Sequence, residues 1–177
     1  LVLDMQEFFL NPASHAFVPS APAIINGISE LINTFRKKNL PVIFTKHINT
    51  MENAGQMKTQ WNDLITISSP LSCLAQAIDV ESSKVIVKSQ YDAFYCTDLE
   101  ENLRSSDCKT VVICGLMTHL CCESTARSAF VRGFKVVLPV DGTASYNRKF
   151  HLSSMYNLSH GFAFITRIKE LINCFEK

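Results

Sequence analysis

Short, unbroken apolar runs alternate with amphipathic segments along the chain. Leu1-Val2-Leu3 ends a buried strand that runs into Asp4. Pro41–Phe44, Lys84–Lys88, Thr110–Cys114, Phe134–Leu138 and Phe162–Ile165 are five further runs of strand length. Pro22 opens a helical pattern in which Ile24, Ile28, Leu31 and Phe35 recur on one face. Leu71, Leu74 and Ile78 predict a short helix after Pro70, and the polar, Asn-rich residues 48–69 read as a long loop. Thr97 and Glu100 have the spacing of a capping box opening a helix to about Ser105. A helix over roughly His119 to Arg132 closes at Gly133, where a left-handed residue is needed. Another is expected from about Arg148 to Ser159, and Ile168, Leu171, Ile172 and Phe175 mark the last.

Strands that are continuously apolar, rather than alternating, belong to a sheet covered on both faces. The pattern therefore predicts an α/β fold: a three-layer α/β/α sandwich around a six-stranded, mostly parallel, Rossmann-like sheet. At 177 residues, with no internal repeat or low-complexity linker, the chain reads as a single domain over 1–177.

Charge narrows the range of functions. Seventeen Lys and Arg against 16 Asp and Glu leave a net charge of +1, and the longest basic run is Arg36-Lys37-Lys38. That is no footprint for nucleic acid or an anionic membrane, so neither is expected as a partner. The longest apolar run, Val111 to Met117, falls well short of the roughly 18 residues a membrane span requires. The first residues lack the grammar of a signal peptide, and without an initiator Met the first strand is expected to begin earlier. Seven cysteines form no paired framework and no Cys-x-x-Cys motif. Free thiols in a reduced, cytoplasmic protein are the expectation.

In parallel sheets of this kind, ligands bind beyond the carboxyl ends of the strands. Asp4, His47, Lys88, the segment Gly115–Cys121 and Asp141 occupy such ends. Asp4 alone would serve equally well as a turn residue, and Lys88 alone as a solvated strand terminus. Cys121 falls in the first turn of a helix, where unpaired backbone N–H groups and the helix dipole favour a thiolate and can receive an oxyanion. A free cysteine is nonetheless more often an inert packing residue.

Taken together, these segments resemble the isochorismatase-like cysteine hydrolases, which include nicotinamidases, carbamoylsarcosine amidases and ureidoacrylate hydrolases. The resemblance rests on Leu3-Asp4-Met5-Gln6, on Lys88-Ser-Gln-Tyr-Asp-Ala-Phe94 with Thr97-Asp-Leu99, and on Gly115-Leu-Met-Thr118-x-x-Cys121-x-x-x-Thr125-Ala126. Gly133-Phe-Lys-Val-Val and Asp141-Gly-Thr-Ala-Ser145 continue it, and only residues 48–83 match weakly. It implies Cys121 as nucleophile, Asp4 as the base accepting its proton and Lys88 as third member of a triad. It also implies a cis peptide between Leu116 and Met117, aiming the N–H groups of Met117 and Cys121 into an oxyanion hole. The implied reaction is covalent hydrolysis of an amide or carbamoyl-type C–N bond in a small-molecule substrate, by a dimer or tetramer.

Gln6, His47, Trp61, Tyr91, Phe94, Leu116 and His119 are candidates to line the substrate pocket, with Phe94 inward and Asp92 toward solvent or a neighbouring subunit. Cys122, rotated by about 100° along the helix, is expected to pack in the core. Nicotinamidases carry a metal on an Asp-x-His and further histidines. Here that place reads Thr45-Lys46-His47-Ile48-Asn49, and the five histidines form no ligand spacing, so no metal or other cofactor is expected. Two other readings stay open. One is a vinyl ether hydrolase of the isochorismatase type using Asp4 as acid; the other is a non-catalytic small-molecule binder or scaffold.

Overall fold

The computed structural model describes residues 1–61 and 63–175. Its strands are β1 (Val2–Leu3), β2 (Ile43–His47), β3 (Lys84–Lys88), β4 (Thr110–Val112), β5 (Cys114–Leu116), β6 (Lys135–Pro139), β7 (Thr143–Ala144) and β8 (Phe164–Thr166). Its helices are α1 (Glu7–Leu10), α2 (Ile25–Lys37), α3 (Met57–Gln60), α4 (Leu99–Ser105), α5 (Glu123–Val131), α6 (Arg148–Gly161) and α7 (Ile168–Cys174). All strand pairs are parallel.

The expected six-stranded sheet is divided into one of five strands, in the order β3-β2-β1-β5-β7, and one of three, β4-β6-β8. The predicted strand Thr110–Cys114 is interrupted and gives a segment to each sheet, and a further short strand, β7, forms beyond the predicted strand Phe134–Leu138 and joins the other sheet from β6. The interruption falls at Ile113, whose N–H leaves for Val137 O while the N–H of Cys114 goes to Leu1 O. The 3₁₀ turn Val140–Gly142 separates β6 from β7.

Alternation along the strands feeds a separate core on each face. Val2, Phe44, Val112, Cys114 and Leu116 pack with α1, α2 and α7, including Ile28, Leu31, Ile168 and Ile172. Leu3, Ile43, Val111 and Ile113 pack instead with Leu99, Ala126, Ala129 and Leu158 from α4, α5 and α6. Each fully buried Leu or Ile stabilises the fold by about 1.5–3 kcal/mol. β3, at the sheet edge, departs from the pattern, because Val85 and Val87 are exposed.

Several local expectations are corrected. The capping box does not form: Thr97 Oγ1 donates to Ala93 O at 2.6 Å, and Asp98 is the N-cap of α4 without a side-chain cap bond. Glu100 instead pairs with Arg104 and Arg132. After Pro70 there is only a 3₁₀ turn over Pro70–Ser72, and the predicted loop 48–69 contains the short α3. The helix expected from His119 begins as a π-helical turn, Thr118–Cys122, and becomes regular only at Glu123.

The strand ends are held close by Gly115. A Cβ there would lie 2.1 Å from Leu3 O and 2.7 Å from Leu3 N, and its φ of +112° is one that side-chain-bearing residues avoid. Gly115→Ala is therefore expected to destabilise the fold by more than about 3 kcal/mol, read as a shift in the urea midpoint. A loss below about 1 kcal/mol would show that β1 and β5 can separate freely.

Candidate active site

Four adjacent strands of the five-stranded sheet bring their carboxyl ends together. The registers pair His47 with Lys88 and Leu3 with Gly115. Asp4 therefore stands one residue beyond β1, His47 and Lys88 end β2 and β3, and Cys121 follows β5 in the π-helical turn. This packing, not proximity in sequence, assembles the site.

Asp4 adopts a φ of +51°, a left-handed conformation that Asp tolerates better than most residues. Its N–H lies 3.3 Å from Thr45 O and 3.2 Å from Thr45 Oγ1, and Thr45 Oγ1 donates to Asp4 Oδ1 at 2.6 Å. Oδ2 lies 2.8 Å from Lys88 Nζ as an ion pair, with both side chains inaccessible to solvent. Among the described residues, no well-directed hydrogen bond otherwise reaches this buried oxygen.

Lys88 Nζ is the hub of the site. Besides Asp4 it contacts Cys121 Sγ at 3.3 Å, His47 Nδ1 at 3.3 Å and Gln90 O at 2.8 Å. Burial alone would lower its pKa, but the attraction of Asp4 carries it above the ordinary lysine value. For Asp4, burial pulls upward and the attraction of Lys88 prevails, holding the carboxyl below its ordinary range. The resting pair is thus ionised on both sides.

Cys121 departs from the thiolate expected of a helix N-terminus. Burial first, then the negative charge of Asp4, push its thiol up to about 12, with Lys88 opposing them. Cys121 therefore rests as a protonated thiol facing a carboxylate. Cys122 is fully buried in the core of α4–α6, as expected.

His47 is locked as a neutral ring. Its Nε2 lies 2.9 Å from Asn49 Oδ1 and donates to it, leaving Nδ1 to accept from Lys88. Burial and repulsion by Lys88 lower its pKa to about 4. Asn49 is in turn tied to Ser89 O through Nδ2 at 2.9 Å.

A cavity of about 310 Å³ opens over Cys121. Of the candidate pocket residues, His47, Trp61 and Tyr91 line it together with Met117 and Cys121. Trp61 Nε1 donates to Tyr91 Oη at 2.7 Å, joining the weakly readable loop to the strand-end loop. The peptide between Leu116 and Met117 is cis.

The remaining candidates lie elsewhere. Gln6 is wholly buried and clamps backbone, with Nε2 donating to His47 O and Ser72 O while Oε1 accepts from His47 N–H. Leu116 is core. Phe94 is buried as expected, but stacks on Phe134 with centroids 6.0 Å apart, away from the cavity. His119 stacks on Phe150 at 4.5 Å and shares a hydrogen bond with Ser145 Oγ. Asp92 is partly buried and accepts from Ser128 Oγ at 2.6 Å.

The cavity is also lined by Phe8, Phe9, His15, Ala16, Asn49, Met57, Asp63, Leu64, Ile65, Leu120 and Tyr146, none of which the sequence singled out. The one signal for Phe8 and Phe9 was an aromatic pair following Asp4, on a helix too short to show a period.

A family model for the isochorismatase domain matches residues 1–170. Nicotinamidase 3 of Arabidopsis thaliana is 34% identical over 176 residues, covering 97% of this chain and 85% of its own. The crystal structure of a cysteine hydrolase from Pseudomonas syringae pv. phaseolicola 1448A superposes with a TM-score of 0.95 at 26% identity, covering 99% of this chain and 90% of that one. The pyrazinamidase of Pyrococcus horikoshii, in complex with zinc, superposes with a TM-score of 0.83 at 26% identity, covering 94% of this chain and 96% of that one.

The zinc of that relative makes the donor set here worth testing. Asp4, His47 and Cys121 offer an oxygen, a nitrogen and a sulfur within 4.8 Å of one another. Lys88 Nζ already contacts all three side chains at 2.8–3.3 Å. A divalent cation among them would have to displace a buried ammonium, so these residues do not fit a metal while Lys88 stands between them.

The neutral state of His47 has a consequence for acid stability. Its folded pKa lies below its unfolded value of 6.5, so its contribution is fully present above pH 6.5 and is lost as pH falls through about 4. We expect this to remove on the order of 3 kcal/mol of stability. Urea unfolding between pH 7 and 4 should show that slope in the wild type and a flatter one in His47→Gln. Parallel slopes would mean His47 titrates alike in both states.

Proposed function

The chain belongs to the isochorismatase family of hydrolases, and from that membership we propose that it cleaves the C–N bond of a small amide or carbamoyl-type substrate through a thioester on Cys121. The observation that carries this reading is the buried Lys88 ammonium, 2.8 Å from Asp4 Oδ2 and 3.3 Å from the Sγ of Cys121, which lines the cavity. Nicotinamidase 3 and the zinc-bound pyrazinamidase are amidases by name, which favours the same bond type.

The proton accounting follows from the resting charges. As Sγ attacks the carbonyl carbon, its proton passes to Asp4 Oδ2, the buried acceptor not otherwise occupied by a directed hydrogen bond. The carbonyl oxygen becomes an oxyanion, for which the Met117 and Cys121 N–H groups are the donors we assign. Collapse breaks the C–N bond, and Asp4 returns the proton to the departing nitrogen. Water then attacks the thioester, gives a proton to Asp4, and expels Cys121 Sγ, which recovers that proton as the acid leaves.

Lys88 has two opposed effects in this scheme. It stabilises negative charge appearing on sulfur, yet it also weakens Asp4 as a base. The thiol pKa near 12 therefore suits attack coupled to proton transfer once substrate is bound, rather than a thiolate standing ready beforehand. No cofactor enters any step.

Kinetics on a panel of small primary amides, with ammonia release as readout, test the assignment. Cys121→Ala should show no turnover above background, and Asp4→Asn should lose about 10²–10⁴-fold in kcat. Cys122→Ala should retain wild-type kcat within about threefold if it folds, since that thiol lies outside the cavity. On the acid side, kcat/KM should hold until below about pH 4, because Asp4 titrates below its ordinary 3.8. Turnover surviving in Cys121→Ala would overturn the proposal.

A further inference from the structure

The formally charged side chains lining the cavity are one-sided, with two imidazoles, His15 and His47, beside them. Five aromatic side chains contribute to it, Phe8, Phe9, Trp61, Tyr91 and Tyr146, together with the carboxylate of Asp63. Among the described residues, no Lys or Arg lines it. Lys88 lies beneath the floor with no solvent-accessible side-chain surface, and its charge is matched by Asp4. Asp63 is exposed, and the N–H of Leu64 donates to its Oδ1 at 2.8 Å.

Aromatic side chains and a carboxylate around one space favour a cation over an anion. The negative face of each ring meets a positive group favourably, most strongly for Trp and Tyr. Trp61 spends its one polar hydrogen on Tyr91, Nε1 donating to Oη at 2.7 Å, and the Tyr91 hydroxyl keeps its own hydrogen. A carboxylate in the same space would lose its water without gaining a cationic partner.

We infer that this cavity selects amides whose non-reacting end is positively charged, with Asp63 and the aromatic lining as the specificity determinants, and that it discriminates against isosteric carboxylates. The inference rests on the amidase reading only in placing the amide over Cys121. The choice between cation and anion rests on the lining alone.

Three benzamides of similar shape test it: benzamide itself and its 3-trimethylammonio and 3-carboxy derivatives. Calorimetric titration of Cys121→Ala at pH 8, above the ordinary range of histidine titration, separates binding from chemistry. The trimethylammonio compound should bind about tenfold more tightly than the carboxylate, a modest ratio because Asp63 is solvent-exposed. Asp63→Asn in that background should reduce the ratio to about threefold or less. Protection of wild-type Cys121 from iodoacetamide should give the same ranking and does not depend on the alanine variant folding.

Equal or tighter binding of the carboxylate, an unchanged ratio in Asp63→Asn, or binding by none of the three would overturn the inference. Ammonia release from the same compounds by wild-type protein distinguishes the two failures. Cation-selective binding without hydrolysis of any of them counts against the amidase reading and leaves the cavity inference standing. Preferential hydrolysis of the carboxylate does the reverse.

Discussion

A lysine ammonium with no access to solvent is costly, and the active site is organised around meeting that cost. Lys88 is satisfied by one full charge, Asp4, and by three polar partners: Cys121 Sγ, His47 Nδ1 and Gln90 O. Taking either member of such a pair away leaves the other buried without compensation. The same contacts set the resting charges from which the proposed reaction starts. The carboxylate is held ionised beside the ammonium, and the thiol is held protonated by burial and the neighbouring carboxylate. His47 stays neutral because a second cation at 3.3 Å from Lys88 would be repelled.

The fold supplies this arrangement through strand register. β3, β2, β1 and β5 are neighbours in that order, so one edge of the sheet presents Lys88, His47, Asp4 and the Cys121 turn side by side. Gln6 stitches this edge from beneath, joining β2 to the segment around Ser72. Thr125 does so from the other side, accepting the Ala93 N–H at 3.0 Å and thereby placing the loop that carries Tyr91. These residues position the lining without entering the cavity.

Asp4, Lys88 and Cys121 were legible in the sequence because each sits where an unbroken apolar run ends, and parallel sheets bind ligands there. Much of the cavity wall was not, since it comes from α1, the following turn, α3 and residues 63–65, which have no period long enough to read. Local rules failed where a competing contact won. Thr97 matched a capping box but its hydroxyl is taken by Ala93 O. His119 sits in the same turn as Cys121, yet its ring is drawn away by Phe150 and Ser145. The divided sheet could not be foreseen either, because Ile113 reads as an ordinary buried strand residue and only its hydrogen-bond partner, Val137 O, reveals the switch.

The central claim is that Cys121 becomes acylated through proton transfer to Asp4. Its most direct test is acid quenching of the wild-type enzyme during turnover of a reactive amide or the corresponding ester, followed by peptide mass spectrometry. The account predicts a thioester of the acyl mass on the peptide carrying Cys121, accumulating within one turnover and absent from Cys122. Turnover with no acyl adduct, or with the adduct on another residue, would contradict it.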